Sequence, residues 1–166
     1  PEGLWDALSD KVWRYQYILS EGEDLYRKSI YTVRKRTSVV PFMQIFDASD
    51  RSVCLVRRPV SSSPMQSLAM LNDPMILEAS RVFAQRLLES DTNAQTNIQN
   101  AFRRIVCRKA TKKELAILLK YHDEQLALFR SKKLAAKETL AVGEYKHNPD
   151  LDSNLQAALM KTIHLI

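Results

Sequence analysis

Thr111-Lys-Lys-Glu-Leu-Ala-Ile-Leu-Leu-Lys-Tyr-His-Asp-Glu-Gln-Leu-Ala-Leu-Phe-Arg130 is the stretch that decides the fold class. Its first four residues form a capping box. The Thr111 hydroxyl and the Glu114 carboxylate can each take an amide donor that the first helical turn leaves without a partner. Beyond the box, Leu115, Leu118, Leu119, Leu126 and Phe129 recur at helical spacing and make one apolar stripe. A stripe of that length predicts a long helix lying on a core.

The same signals recur on either side. Ser63-Pro64 and Asp73-Pro74 each place a capping side chain ahead of a proline at the first helical position, so two helices are predicted to start there. The second carries Ile76, Ala79, Phe83 and Leu87 on one stripe and runs to about Ser90. Ile98, Ala101, Phe102, Ile105 and Val106 form another stripe, with Arg103, Arg104 and Arg108 on other faces. A shorter helix is predicted from about Leu134 to Val142, closed by Gly143. Asp152 or Ser153 opens the last one, in which Leu155, Ala158, Leu159, Thr162, Ile163 and Ile166 share a face. The reading is an all-α, compact orthogonal helical bundle over residues 63–166, behind an irregular segment over residues 1–62, the whole chain forming a single domain. Within that segment Val12–Ile18 alternates as a short strand, able to form a strand pair, and Leu25–Arg36 reads as a weak basic helix ending before Val40-Pro41.

Composition limits the function classes. A chain of 166 residues buries about 68–70% of its unfolded surface, enough for one core without metal or disulfide support. Three glycines leave no phosphate-cradling loop, and no apolar run nears the roughly 20 residues that span a bilayer. Cys54 and Cys107 are too few for a disulfide framework and read as buried free thiols, with a single bridge open to them in an oxidising compartment. The opening Pro-Glu-Gly-Leu-Trp has no initiator Met and no leader-like pattern, so the chain is expected to be a piece of a larger protein, and its last helix to be cut short.

Charge is blocked along the chain. Residues 27–58 carry eight basic and two acidic side chains, and residues 101–137 carry eleven and three, while the remaining segments are net acidic. Nucleic-acid binding through the basic helices of 101–137 is therefore one reading, but solvated or structural helix faces account for the charge better, because no base-stacking aromatic set or known recognition helix accompanies it.

Catalytic and metal signatures do not emerge. His122, His147 and His164 lack metal-ligand spacing, and His122 reads as a satisfied core histidine. Asp150-Leu-Asp-Ser-Asn154 imitates the start of a calcium loop, but Leu155 replaces its glycine and Lys161 its closing glutamate. No nucleophile elbow or Ser-x-x-Lys motif occurs. What stands out is a polar concentration of Asp47, Asp50, Arg51, Arg57, Arg58, Gln66, Asn72 and Asp73. Arg–carboxylate pairing and helix capping by Asn72 and Asp73 would make it structural; an arginine-rich pocket for a carboxylate, sulfate or phosphate would make it an anion site. Asp47, Asp50 and Asp73 would be the acid and base of a polysaccharide hydrolase, if two of them faced a cleft about 5–10 Å apart.

The blocks Leu25-Tyr-Arg-Lys-Ser-Ile-Tyr-Thr-Val-Arg-Lys-Arg-Thr37, Phe46-Asp-Ala-Ser-Asp-Arg-Ser-Val-Cys-Leu-Val-Arg-Arg58 and Pro64-Met-Gln-Ser-Leu-Ala-Met-Leu-Asn-Asp-Pro74 resemble the family called domain of unknown function 1553. Ala101-Phe-Arg-Arg104, Arg108–Leu115 and Leu140-Ala-Val-Gly-Glu144 continue the resemblance, which corresponds to the C-terminal portion of the longer family domain. Ser61-Ser-Ser63 stands where the family usually has Thr-Asn-Thr, and Val39-Val40 where it often has prolines. The resemblance implies the C-terminal domain of a large planctomycete-type cytochrome-c-domain protein, exported to the periplasm or cell surface, whose other domains are its partners. This chain has no Cys-x-x-Cys-His for haem, so any electron transfer belongs to a separate cytochrome-c-like module. The expected role is a noncatalytic binding or scaffolding module without cofactor or metal, taking an anionic or carbohydrate ligand at residues 47–73.

Overall fold

The computed structural model describes residues 22–32, 39–49, 54–57, 59–131 and 134–166. Among them are seven α-helices and no strand, so the fold class is all-α, as the sequence predicts. The predicted strand at Val12–Ile18 lies outside the described residues. The chain divides into two compact units, Pro1–Met75 and Ile76–Ile166.

In the first unit the predicted basic helix is replaced, where described, by two 3-10 turns, Gly22–Tyr26 and Ser29–Tyr31. Thr32 then takes an extended conformation (φ −71°, ψ 130°), as β-branched residues prefer. Pro41 opens a helix instead of only breaking a pattern: α1 (Pro41–Ile45) carries it at its first position, where a missing N–H leaves nothing unsatisfied. Helix α2 (Pro64–Asn72) packs with α1 and begins with the reciprocal Ser63/Gln66 cap.

The second unit is the helical bundle. It takes in α3 (Pro74–Ser90) from Ile76 onward, α4 (Ala94–Val106), α5 (Lys112–Arg130), α6 (Ala136–Leu140) and α7 (Ser153–Leu165). Side-chain caps start three of them: Asn93 accepts from the amides of Gln95 and Thr96, Thr111 from Glu114, and Asp152 from Asn154. Helix α7 packs against α4, α5 and α6, and Ala157, Ala158, Leu159, Met160, Thr162 and Ile163 are all buried. Its buried surface is thus wider than the single face the sequence pattern suggests, because a helix with neighbours on several sides is apolar nearly all round. Ala84, Leu87, Leu88, Ile98, Ala101, Phe102, Leu118, Phe129 and Leu140 complete the core around it.

Three expectations change. Ala79 is exposed, and the buried face of α3 runs instead through Glu78, Ser80, Arg81, Ala84, Gln85, Leu87 and Leu88. Helix α6 stops at Leu140, three residues ahead of Gly143, whose φ of +81° serves a separate loop turn. Cys54 and Cys107 are free, yet both are exposed rather than buried. Cys107 sits in the left-handed cap (φ 57°) that ends α4, beyond the last turn that faces the core.

Candidate functional site

The polar residues singled out between 47 and 73 are placed as follows. Asp47 takes a left-handed conformation (φ 56°) just after α1, which short polar side chains tolerate. Its Oδ2 accepts from the Ser61 amide at 2.7 Å, and the Ser61 hydroxyl donates to the same carboxylate. Gln66 completes the capping box with Ser63 and also donates from Nε2 to the Ile45 carbonyl (2.9 Å) and to Ser61 Oγ (3.2 Å). Asp47, Ser61 and Gln66 thus fasten the end of α1 to the start of α2. At the other end of α2, Asp73 Oδ1 accepts from the Met75 amide at 2.8 Å, capping α3 as expected, whereas Asn72 donates back to the Leu68 carbonyl of its own helix. Arg57 is exposed; Asp50, Arg51 and Arg58 lie outside the described residues.

A denser polar arrangement lies in the second unit, at residues the sequence reading passed over. Glu78 and Arg81 stand one turn apart on α3, with side chains 3% and 0% exposed and Arg81 Nη2 3.7 Å from Glu78 Oε1. A buried guanidinium is tolerable only when its donors are met. Here Nε donates to the Val142 carbonyl (3.1 Å), Nη2 to the Tyr145 carbonyl (2.7 Å), and Nη1 lies 3.2 Å from His147 Nδ1. Glu78 in turn accepts from the Tyr145 amide at 2.7 Å. The two charges therefore clasp the loop after α6 against α3. Gly143 is required at that point, since a Cβ there would run into the Glu78 carboxyl group, and its backbone angle is one that other residues rarely adopt. Partial burial of the His147 ring, with the positive charge of Arg81 beside it, holds its pKa below the ordinary histidine value, while Glu78 opposes the shift. An unprotonated Nδ1 is the form able to accept from Arg81. Asn148 extends the clasp outward, donating to Glu89 at 2.9 Å, and Arg86 lies 5.8 Å from the centre of the Tyr145 ring.

The third polar feature is the corner between α4 and α5. Arg108 pairs bidentately with Glu114 at 2.9 and 2.6 Å, and Glu114 also receives the Thr111 amide and hydroxyl. The Arg108 bonds, aided by those from Thr111, lower the Glu114 pKa to about 2, and the same pairing raises that of Arg108. The guanidinium of Arg108 lies 4.9 Å from the Phe102 ring centre and that of Arg104 5.8 Å from the Phe83 ring centre. His122, read as a core histidine, is buried, with Nδ1 3.2 Å from Asp123 Oδ1.

Among the described residues no group of three His, Cys, Asp or Glu side chains is placed to hold a metal ion, and no helix is long and apolar enough to cross a membrane. A search of curated proteins found no match, and a search of solved structures found none. A family model described as "Protein of unknown function (DUF1553)" matches residues 6–122.

Proposed function

The chain belongs to the DUF1553 family, and we propose that it is a noncatalytic binding or scaffolding module within a larger exported, redox-associated protein. The observation that carries this reading is the use of the most deeply buried charges. Glu78 and Arg81, the pair whose burial would otherwise suggest a reactive centre, meet backbone groups of residues 142–145 and fix the fold. Asp47 and Asp73 likewise hold backbone amides, of Ser61 and Met75. A rigid helical platform with its polar groups engaged internally suits an interaction role better than proton transfer. Export and association with a cytochrome-c-like module rest on the family resemblance and are part of the proposal.

The test pairs two measurements on the full chain. Sedimentation velocity with recombinant neighbouring domains of the parent protein should show a saturable complex with at least one of them. A reducing-end assay on a panel of polysaccharides should show no turnover. Turnover that disappears in Asp47→Asn or Asp73→Asn would replace the reading by the hydrolase one, and the absence of a complex with every neighbouring domain would also contradict it.

A further inference from the structure

Six cations stand exposed on the corner between α4 and α5: Arg103, Arg104, Arg108, Lys109, Lys112 and Lys113. Of these six, only Arg108 has an acidic partner among the described residues, Glu114. The placement of Lys112 and Lys113 is not explained by the fold. They occupy the first two positions of α5, at the positive end of its dipole, where a cation is disfavoured and an acidic residue would stabilise. The acidic residue of that turn, Glu114, is engaged by Arg108 and Thr111, which leaves the two lysine side chains facing solvent.

The same two helices also carry aliphatic side chains that the core leaves exposed. Ile105 is 44% exposed, Val106 37% and Ile117 65%. Lys113 and Ile117 are four residues apart and Ile117 and Lys120 three apart, so all three lie along one exposed stripe of α5. The rings at this corner, Phe83 and Phe102, are already faced by Arg104 and Arg108, which removes them as stacking platforms for bases. By contrast, the exposed Met65, Leu68 and Leu71 of α2 lie in a stretch without any charge from Pro59 to Asn72, and nothing there identifies an occupant.

We propose that the α4–α5 corner docks an acidic, amphipathic protein segment, its carboxylates meeting Arg103, Lys109, Lys112 and Lys113 and its apolar side chains covering Ile105, Val106 and Ile117. The proposal rests on the binding-module reading and names the surface that performs it. Mixed charge and aliphatic contact separates this partner from a nucleic acid, whose backbone would use the cations alone.

Fluorescence anisotropy with three probes tests it: a labelled peptide of about three heptads of Glu and Leu, a poly-glutamate of equal charge, and a short DNA duplex. The expected order is peptide tightest, with poly-glutamate and duplex at least about tenfold weaker. Charge reversal in Arg103→Glu/Lys112→Glu/Lys113→Glu should weaken the peptide by about tenfold or more, and Ile105→Ser/Ile117→Ser should weaken the peptide but leave poly-glutamate unchanged. Circular dichroism of both variants establishes that the bundle is intact; a variant that unfolds is replaced by the single substitutions Lys113→Glu and Ile117→Ser, read the same way. Equal binding of all three probes, preference for the duplex, or indifference to the Ile substitutions would overturn the proposal. If a complex with a neighbouring domain forms and the corner variants leave it unchanged, the docking surface is wrong while the binding-module reading stands.

Discussion

Arg81 shows why residue type alone misplaces a side chain. Arginine is almost never fully buried without a partner, and the stripe pattern of α3 assigns this position to solvent. Its guanidinium is nonetheless fully buried, because carbonyls 61 and 64 residues further along the chain reach it. No local pattern encodes such partners. The only hint in the sequence was Gly143, one of three glycines, which the helix-ending reading absorbed. Arg81→Met should destabilise the second unit by about 3–5 kcal/mol in urea unfolding, since it leaves Glu78 buried with its counter-charge gone. Glu78→Gln combined with Arg81→Met should recover part of that loss, because no unpaired charge is then buried. Gly143→Ala should lower stability by about 1–3 kcal/mol through the strained backbone angle and the collision with Glu78.

Among elements, those with local punctuation were legible. The Ser63 cap and the Thr111/Glu114 box sit where the sequence places them, and of the two residues offered to open the last helix it is Asp152 that caps it, because each device is closed within three residues. The end of α6 and the buried face of α3 were not, and the polar part of that face meets partners more than 60 residues away in the loop after α6. The candidate polar set was legible only as a collection of residue types: Asp47 and Gln66 converge through Ser61, a partner 14 residues from Asp47 that no spacing rule picks out. Capping at Glu114 has a pH signature. Its carboxyl has a lower pKa folded, about 2, than unfolded, so the unfolded chain binds the proton more readily as pH drops. The contribution of Glu114 to stability is present above its unfolded value near 4.5 and is lost as pH falls toward 2. Thermal unfolding from pH 6 to pH 3 should therefore show a shallower decline in Glu114→Gln than in the parent chain.

At the scale of the whole molecule, the account treats buried charge as structure and exposed charge as the means of recognition. Helices α3 to α7 all contribute to a continuous apolar core, and the clasp ties α3 to the loop that links α6 and α7. His147 gives this arrangement a second pH dependence. Its folded pKa is lowered, so stability is complete above the unfolded value of 6.5 and declines as pH falls below it, and His147→Gln should remove that decline. The most direct measurement is amide hydrogen exchange at Tyr145, whose N–H donates to the buried Glu78 carboxylate. Exchange as slow as that of the α7 core amides, and lost in Arg81→Met, is the predicted result. Exchange at the rate of an open loop in the parent chain would contradict the claim that these charges hold the fold together.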